Sequence, residues 1–304
     1  MFFTPTAFYQ QQLIPPLPPG PITSWATTGT GPFGIVIDSS DNVYTANYSS
    51  NNITKVTPSG IATTPWATTG TGPYVMDIDS SGNIYTTNAI SNNITKVTPS
   101  GIITTPWAAT GTRPFGIIID SSDNVYTANA ISNNITKVTP SRVATTPWAA
   151  TGTSPYGMAI DSSGNIYIAN FAGNNITKVT PAGVATTPWA ATGTGPFRIA
   201  IDSLGNIYIT NSSSNSITKV TPSGIITTPW AATGTRPYGI AIDSSDNVYT
   251  ANYSSNNITK VTPSGIATTP WATTGTNPFG IAIDSSGNVY TTNYTNNTIT
   301  KVVV

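Results

Sequence analysis

PYGMAIDSSGNIYIANFAGNNITKVTPAGVATTPWAATGT, residues 155–194, decides the fold. Tyr156–Ile160 is an apolar run that ends at Asp161. Asn165–Ala169 follows the turn residues Ser-Ser-Gly, and its Ile and Tyr residues favour extended backbone. Asn175–Thr180 is stopped by Pro181-Ala182-Gly183, and Val184–Ala190 carries Trp189 before Thr-Gly-Thr leads onward. Pattern and punctuation therefore predict four short antiparallel strands. No segment has a helical period, and Pro and Gly recur too often for a helix of useful length.

The same text returns along the chain. Trp25, Trp66, Trp107, Trp148, Trp189, Trp230 and Trp271 are each 41 residues apart. Seven lysines (Lys55, Lys96, Lys137, Lys178, Lys219, Lys260, Lys301) and seven aspartates from Asp38 to Asp284 keep that period. A four-stranded unit of this size cannot bury both faces alone, but units stacked radially cover one another. The expectation is an all-β, seven-bladed β-propeller over residues 21–304. An open solenoid would need distinct polar caps, and the sequence has none. The chain enters at a Trp strand (Ile22–Thr28) and leaves at a third strand (Thr298–Val304). Blade seven thus lacks its own fourth strand, and the N-terminal strand is expected to complete it and remove an unpaired edge.

Composition restricts function. Of 304 residues 11 are Lys or Arg and 11 are acidic, all Asp, with no Cys, His or Glu. Balanced, sparse charge argues against a nucleic-acid surface or a polybasic membrane patch. No apolar run is long enough to span a membrane as a helix. Missing thiol, imidazole and Glu remove the usual nucleophile, general base and zinc ligands. Neither cofactor nor metal is expected.

PFGIAIDSSGNVYTTN (residues 278–293) and NNTITKV (296–302), with Pro-x-Gly-Ile-Ala-Ile-Asp and Gly-Asn-x-Tyr, resemble the NHL-repeat propellers. The units are also similar to those of streptogramin-lyase-like propellers. The resemblance implies protein or RNA binding in the first case and an enzyme in the second. The lyases resemble one another in using His and Glu around magnesium, and gluconolactonase-like propellers rely on a metal site with Glu. This chain has neither residue type, so no catalytic position carries over.

Several motifs read as parts of the repeat. Gly29-Thr-Gly31-Pro-Phe-Gly34 spells a dinucleotide fingerprint, but a strand follows it where a helix is required. Ser216-Ile-Thr-Lys219 matches an acyl-enzyme motif, yet it lies on a strand where other units carry Asn. Asp38-Ser-Ser-Asp41-Asn42 has too few acids for calcium, and Gly82, Gly164, Gly205 and Gly287 take the second acidic place elsewhere. That interchange suits a hairpin turn capped by the first Asp. The Asn-Ile-Thr sequons at Asn52, Asn93, Asn134, Asn175 and Asn257 are strand entries. The periodic Asp and Lys residues are expected to be framework groups, paired or solvated between blades. The Trp residues are expected to pack against a neighbouring blade or strand three, the alternative being a glycan platform.

The charges outside the period are Arg113, Arg142, Arg198, Arg236, Asp41, Asp77, Asp123 and Asp246. Arg113 and Arg236 fall on fourth-to-first strand connections, and Arg198 begins a first strand beside that face. The second-to-third loops on the same face carry Tyr48, Phe171, Tyr253 and Tyr294. These seven residues are the expected ligand-binding set, for an anionic or sugar-like group. Residues 1–20 form an aromatic and Pro-rich arm, without the basic start of a signal peptide, expected to dock on a protein partner or an identical subunit. The functional expectation is a non-catalytic structural or interaction scaffold, extracellular or on a cell or virion surface. The alternatives are a multivalent lectin and, more remotely, a lyase-like enzyme.

Overall fold

The computed structural model describes residues 23–304, so the arm expected over residues 1–20 lies outside the described residues. Twenty-eight strands form seven four-stranded antiparallel sheets arranged as the blades of a propeller. Blades one to six span residues 32–68, 73–109, 114–150, 155–191, 196–232 and 237–273. In blade four the strands are Pro155–Ile160, Ile166–Asn170, Asn175–Val179 and Ala185–Ala191, within a residue or so of the sequence reading. Blade seven holds residues 278–302 and is completed by β1 (Thr23–Thr27), which pairs antiparallel with β28 (Thr298–Val302). The N-terminal strand therefore closes the ring.

Each blade repeats one set of physical devices. In the first hairpin Asp38 Oδ1 accepts the backbone N–H groups of Ser40 and Asn42, both at 2.9 Å. Its Oδ2 accepts from Asn42 Nδ2 and from the hydroxyl of Tyr44, again at 2.9 Å. Burial raises the Asp38 pKa, but these donors outweigh it and hold the carboxyl below its ordinary value. The place shared by Asp and Gly has positive φ, 58° at Asp41 and 79° at Gly82, which explains the interchange.

The periodic Lys and Asp residues are framework groups, and of the two states expected for them, paired or solvated, pairing is rare. Among the described residues there is one ion pair, Lys96 with Asp79 at 4.0 Å. The Asp oxygens are already taken by the turn. Register places Lys55 opposite Tyr44, and its ammonium stands 5.4 Å from the Tyr44 ring and 5.7 Å from that of Trp66. Trp66 in turn meets Tyr44 with centroids 5.1 Å apart. The tryptophans thus reach past strand three to strand two of their own blade. Their outer side meets the next blade's turn, where Trp25 lies 3.1 Å from the Cβ that Gly60 lacks. Six of the seven Trp are partly exposed, and Trp107 is buried.

Other sequence features settle in the same way. Asn52 of the first sequon accepts from Asn47 Nδ2 at 2.7 Å, and Thr54 accepts from the same group at 2.9 Å. Ser216 is buried in the Asn place and receives Asn211 Nδ2 at 3.2 Å, so the acyl-enzyme motif is a repeat substitution. Three of the non-periodic acids join blades. Asp41 accepts from Ser285 Oγ at 2.7 Å, Asp123 from Ser80 Oγ at 3.0 Å and Asp246 from Ser203 Oγ at 2.7 Å. The first of these crosses the seam between the chain ends.

Asp77 is different. It replaces the Ala, Val or Ile of the sibling blades and accepts the N–H groups of Ile78 and, in the next blade, Ile119, both at 2.9 Å. Burial pushes its carboxyl up to about 6 despite these two donors. An unfolded Asp titrates near ~3.9. Between those values the folded chain holds more protons than the unfolded one, so this group's contribution to stability grows as pH falls from 6 to 4. Above pH 6 its buried carboxylate is a net cost. Replacing Asp77 by Ala should therefore compare more favourably with wild type at pH 7.5 than at pH 4.5, by about 2 kcal/mol. Denaturant melts at the two pH values measure this, and an unchanged difference would refute the titration of Asp77. The turn carboxyls, whose pKa is depressed, act in the opposite sense. Their contribution is lost only as pH falls below the unfolded Asp value.

Candidate ligand site at the channel mouth

The first strands of all seven blades line a central channel. At the second residue of each stands an aromatic ring: Phe33, Tyr74, Phe115, Tyr156, Phe197, Tyr238 and Phe279, with Phe and Tyr alternating until the seam. Consecutive rings touch around the whole circuit, with centroids 4.3–5.1 Å apart, including Phe279 to Phe33. Phe279 also reaches Tyr74 at 5.7 Å and Phe197 at 5.6 Å, so the belt folds inward over the channel. Edge-to-face and tilted contacts of this kind hold rings in fixed relative positions.

The glycine after most belt residues permits this close approach. A Cβ on Gly157 would lie 2.6 Å from the Phe197 carbonyl oxygen and 2.7 Å from Arg198 Cα in the next blade.

Above the belt lies a cup of about 350 Å³. Its floor is formed by the buried rings of Tyr74, Phe197 and Phe279, and Phe171, Tyr253 and Tyr294 form part of its wall. Phe171 leans on Tyr156 at 5.2 Å, Tyr253 on Tyr238 at 5.0 Å, and Tyr294 stacks on Phe33 at 4.8 Å. Tyr48 meets Phe33 edge-on at 5.1 Å and stands beside this wall. Blades two, three and five carry Ala89, Ala130 and Ser212 at the same place, so the wall is incomplete there. Arg236 lines the cup and Arg113 is exposed, and both have left-handed backbone, φ 55°. Burial raises the Tyr156 and Tyr253 hydroxyls above their ordinary range; the positive charges of Arg113 and Arg236, respectively, oppose the shift. The phenols are therefore neutral at physiological pH.

Arg198 departs from the expected set. It is half-buried below the belt, within the channel wall, and does not share the outer face with Arg113 and Arg236. Its Nη1 donates to the Phe115 carbonyl oxygen at 3.2 Å, and its guanidinium lies 5.7 Å from the Tyr74 ring and 5.5 Å from that of Phe197. The physical reason is its position in the first strand, where the other side chain is Val75 and the remaining five blades carry Gly. The structure thus gathers Phe171, Tyr253, Tyr294 and Arg236 into one site, with Tyr48 at its margin. The belt was missed in sequence, although its own 41-residue period was a visible signal.

A ring of seven four-stranded antiparallel sheets defines the chain as a seven-bladed β-propeller. The virginiamycin B lyase family matches over residues 18–186, more than half of the chain, and the chain belongs to that family. No curated protein matches. Among solved structures, a streptogramin B lyase is 20% identical with a TM-score of 0.74, covering 90% of this chain and 93% of that one. Virginiamycin B lyase from Staphylococcus aureus is 22% identical with a TM-score of 0.74, over 90% and 95%. Hydrazine synthase from Kuenenia stuttgartiensis reaches the same TM-score of 0.74 at 15% identity, over 90% and 96%. At such identities the likeness is one of fold.

Proposed function

We propose that this protein is a non-catalytic recognition propeller that holds an apolar or aromatic group of its partner in the channel-mouth cup. The observation that carries the reading is the closed aromatic belt with a partial second tier and Arg236 in the wall. The cup is concave and offers ring faces together with tyrosine hydroxyls and Arg236, and placed polar groups of this kind fix a ligand's orientation in a binding pocket. The absence of catalysis is supported by the sequence, which has no His and no Glu. A Staphylococcus aureus virginiamycin B lyase variant with a His-to-Ala change, solved with quinupristin, is described as catalytically inactive. A scaffold role at a cell or virion surface, docked through residues 1–20, is part of the same proposal. A glycan ligand is the second reading, favoured by the Tyr rings in the wall, whose faces can stack on sugars.

The test uses the neutral probe N-phenyl-1-naphthylamine and, in parallel, a glycan array. The variant Phe171→Ala/Tyr253→Ala/Tyr294→Ala should bind the probe at least ~10-fold more weakly while keeping the circular dichroism of the folded propeller, because the three residues lie outside the strands and leave the seven belt rings in place. Equal probe binding by wild type and variant would reject the cup. Array signals lost in the variant would move the reading to a lectin, and turnover of quinupristin would overturn the non-catalytic assignment.

A further inference from the structure

Beneath the belt the channel holds a separate cavity of about 160 Å³, bordered by Phe33 and Phe279 above and by Arg198 at its side. Gly34, Gly239 and Gly280 line it, and the Cβ that each lacks would meet the backbone of the neighbouring blade, so these positions set blade close against blade around the channel. The only protein acceptor that the Arg198 guanidinium reaches among the described residues is the Phe115 carbonyl oxygen. No described carboxylate pairs with it. A half-buried cation with one neutral acceptor and two ring faces is incompletely compensated, since a guanidinium carries five N–H donors. From this geometry we propose that the channel is a binding site for a small oxyanion, a carboxylate or phosphate group, held by Arg198 under the aromatic belt.

The arginine fork matches two oxygens of such a group at once, which a point-like ammonium does not. Burial also pulls the Arg198 pKa down, with Tyr74 and Tyr156 opposing it, and an anion beside it would relieve that strain on its charge. The site takes a different chemical class from the cup and stands or falls independently of it. A purely mechanical role, bracing blade five against blade three, is the rival that the experiment must separate.

The full chain is titrated by calorimetry with sodium acetate and with sodium phosphate at constant ionic strength. Wild type should show saturable binding of at least one of them. Arg198→Gly, which restores the residue of five sibling blades, should weaken it at least ~10-fold while staying folded. Arg198→Lys keeps the charge, loses the fork, and should weaken it several-fold, which a brace would not predict. If Arg198→Gly unfolds, selenate soaked into wild-type crystals decides, with an anomalous peak expected beside the guanidinium. No saturable binding by wild type, equal binding by Arg198→Gly, or an empty channel in the selenate crystals would overturn the site.

Discussion

Removing residues 1–29 should lower the melting temperature by more than ~10 °C or drive the protein to aggregate, because the deletion takes β1 from blade seven. Three losses add. The edge of β28 is left unpaired, and such an edge is a template for pairing with other chains. Tyr290 loses Trp25, whose ring lies 5.1 Å away. Ala26, buried with Ile299 and Tyr290 in the seventh inter-blade core, goes with it. Deleting a fully buried Trp side chain costs about 3–5 kcal/mol, and partly buried Trp25 contributes a share of that. Deletion of residues 1–20, which leaves β1 in place, is the reference. Scanning fluorimetry and light scattering read the outcome, and a peptide spanning residues 18–31 should restore part of the loss in trans. If the two deletions melted within a few degrees of each other, closure by β1 would contribute little and the stability argument would fail.

Asp202→Ala should destabilise the protein by about 3 kcal/mol, through donors left without an acceptor in a buried turn. Asp202 accepts from Leu204 N at 3.0 Å, from Asn206 N and Nδ2 at 2.7 Å each, and from the Tyr208 hydroxyl at 2.9 Å. Tyr208 is 1% exposed and Asn206 8%, so water cannot replace the lost carboxylate without opening the blade. The hydroxyl supplies an internal control. In Asp202→Ala/Tyr208→Phe the orphaned donor is gone, so the double variant should be less destabilised than the sum of the two single changes. Simple additivity in urea melts would show that the hydroxyl–carboxylate bond is not what the turn depends on.

Much of this fold was legible because its devices are local. The Trp and Lys periods set the blade count, the Asp/Gly exchange identified a hairpin turn, and the phase of the repeat located the seam. What escaped were relations that exist only after the ring closes. Phe33 and Phe279 are far apart in sequence and each reads as one apolar residue in a strand, yet closure sets them 4.3 Å apart. The periodic Asp and Lys residues read as framework groups, paired or solvated between blades, but register turned each Lys onto the rings of its own blade. Arg198 fell among residues assigned to the outer face because the glycines at its sibling positions were not read as a channel wall. Four of the seven expected contact residues line the cup nonetheless, since loop variation in a repeat marks the end of the molecule where side chains meet solvent.

The seam has a mechanical meaning as well. In the antiparallel pair of β1 and β28, Thr23 faces Lys301 while Thr27 faces Thr298. The two ends of the described chain therefore leave from the same end of that pair. A tether pulling on both would load its hydrogen bonds one after another, peeling the strands apart like a zipper instead of shearing them together. Of the two ways to load an antiparallel pair, a pull on both described ends meets this one in the direction that breaks its bonds singly.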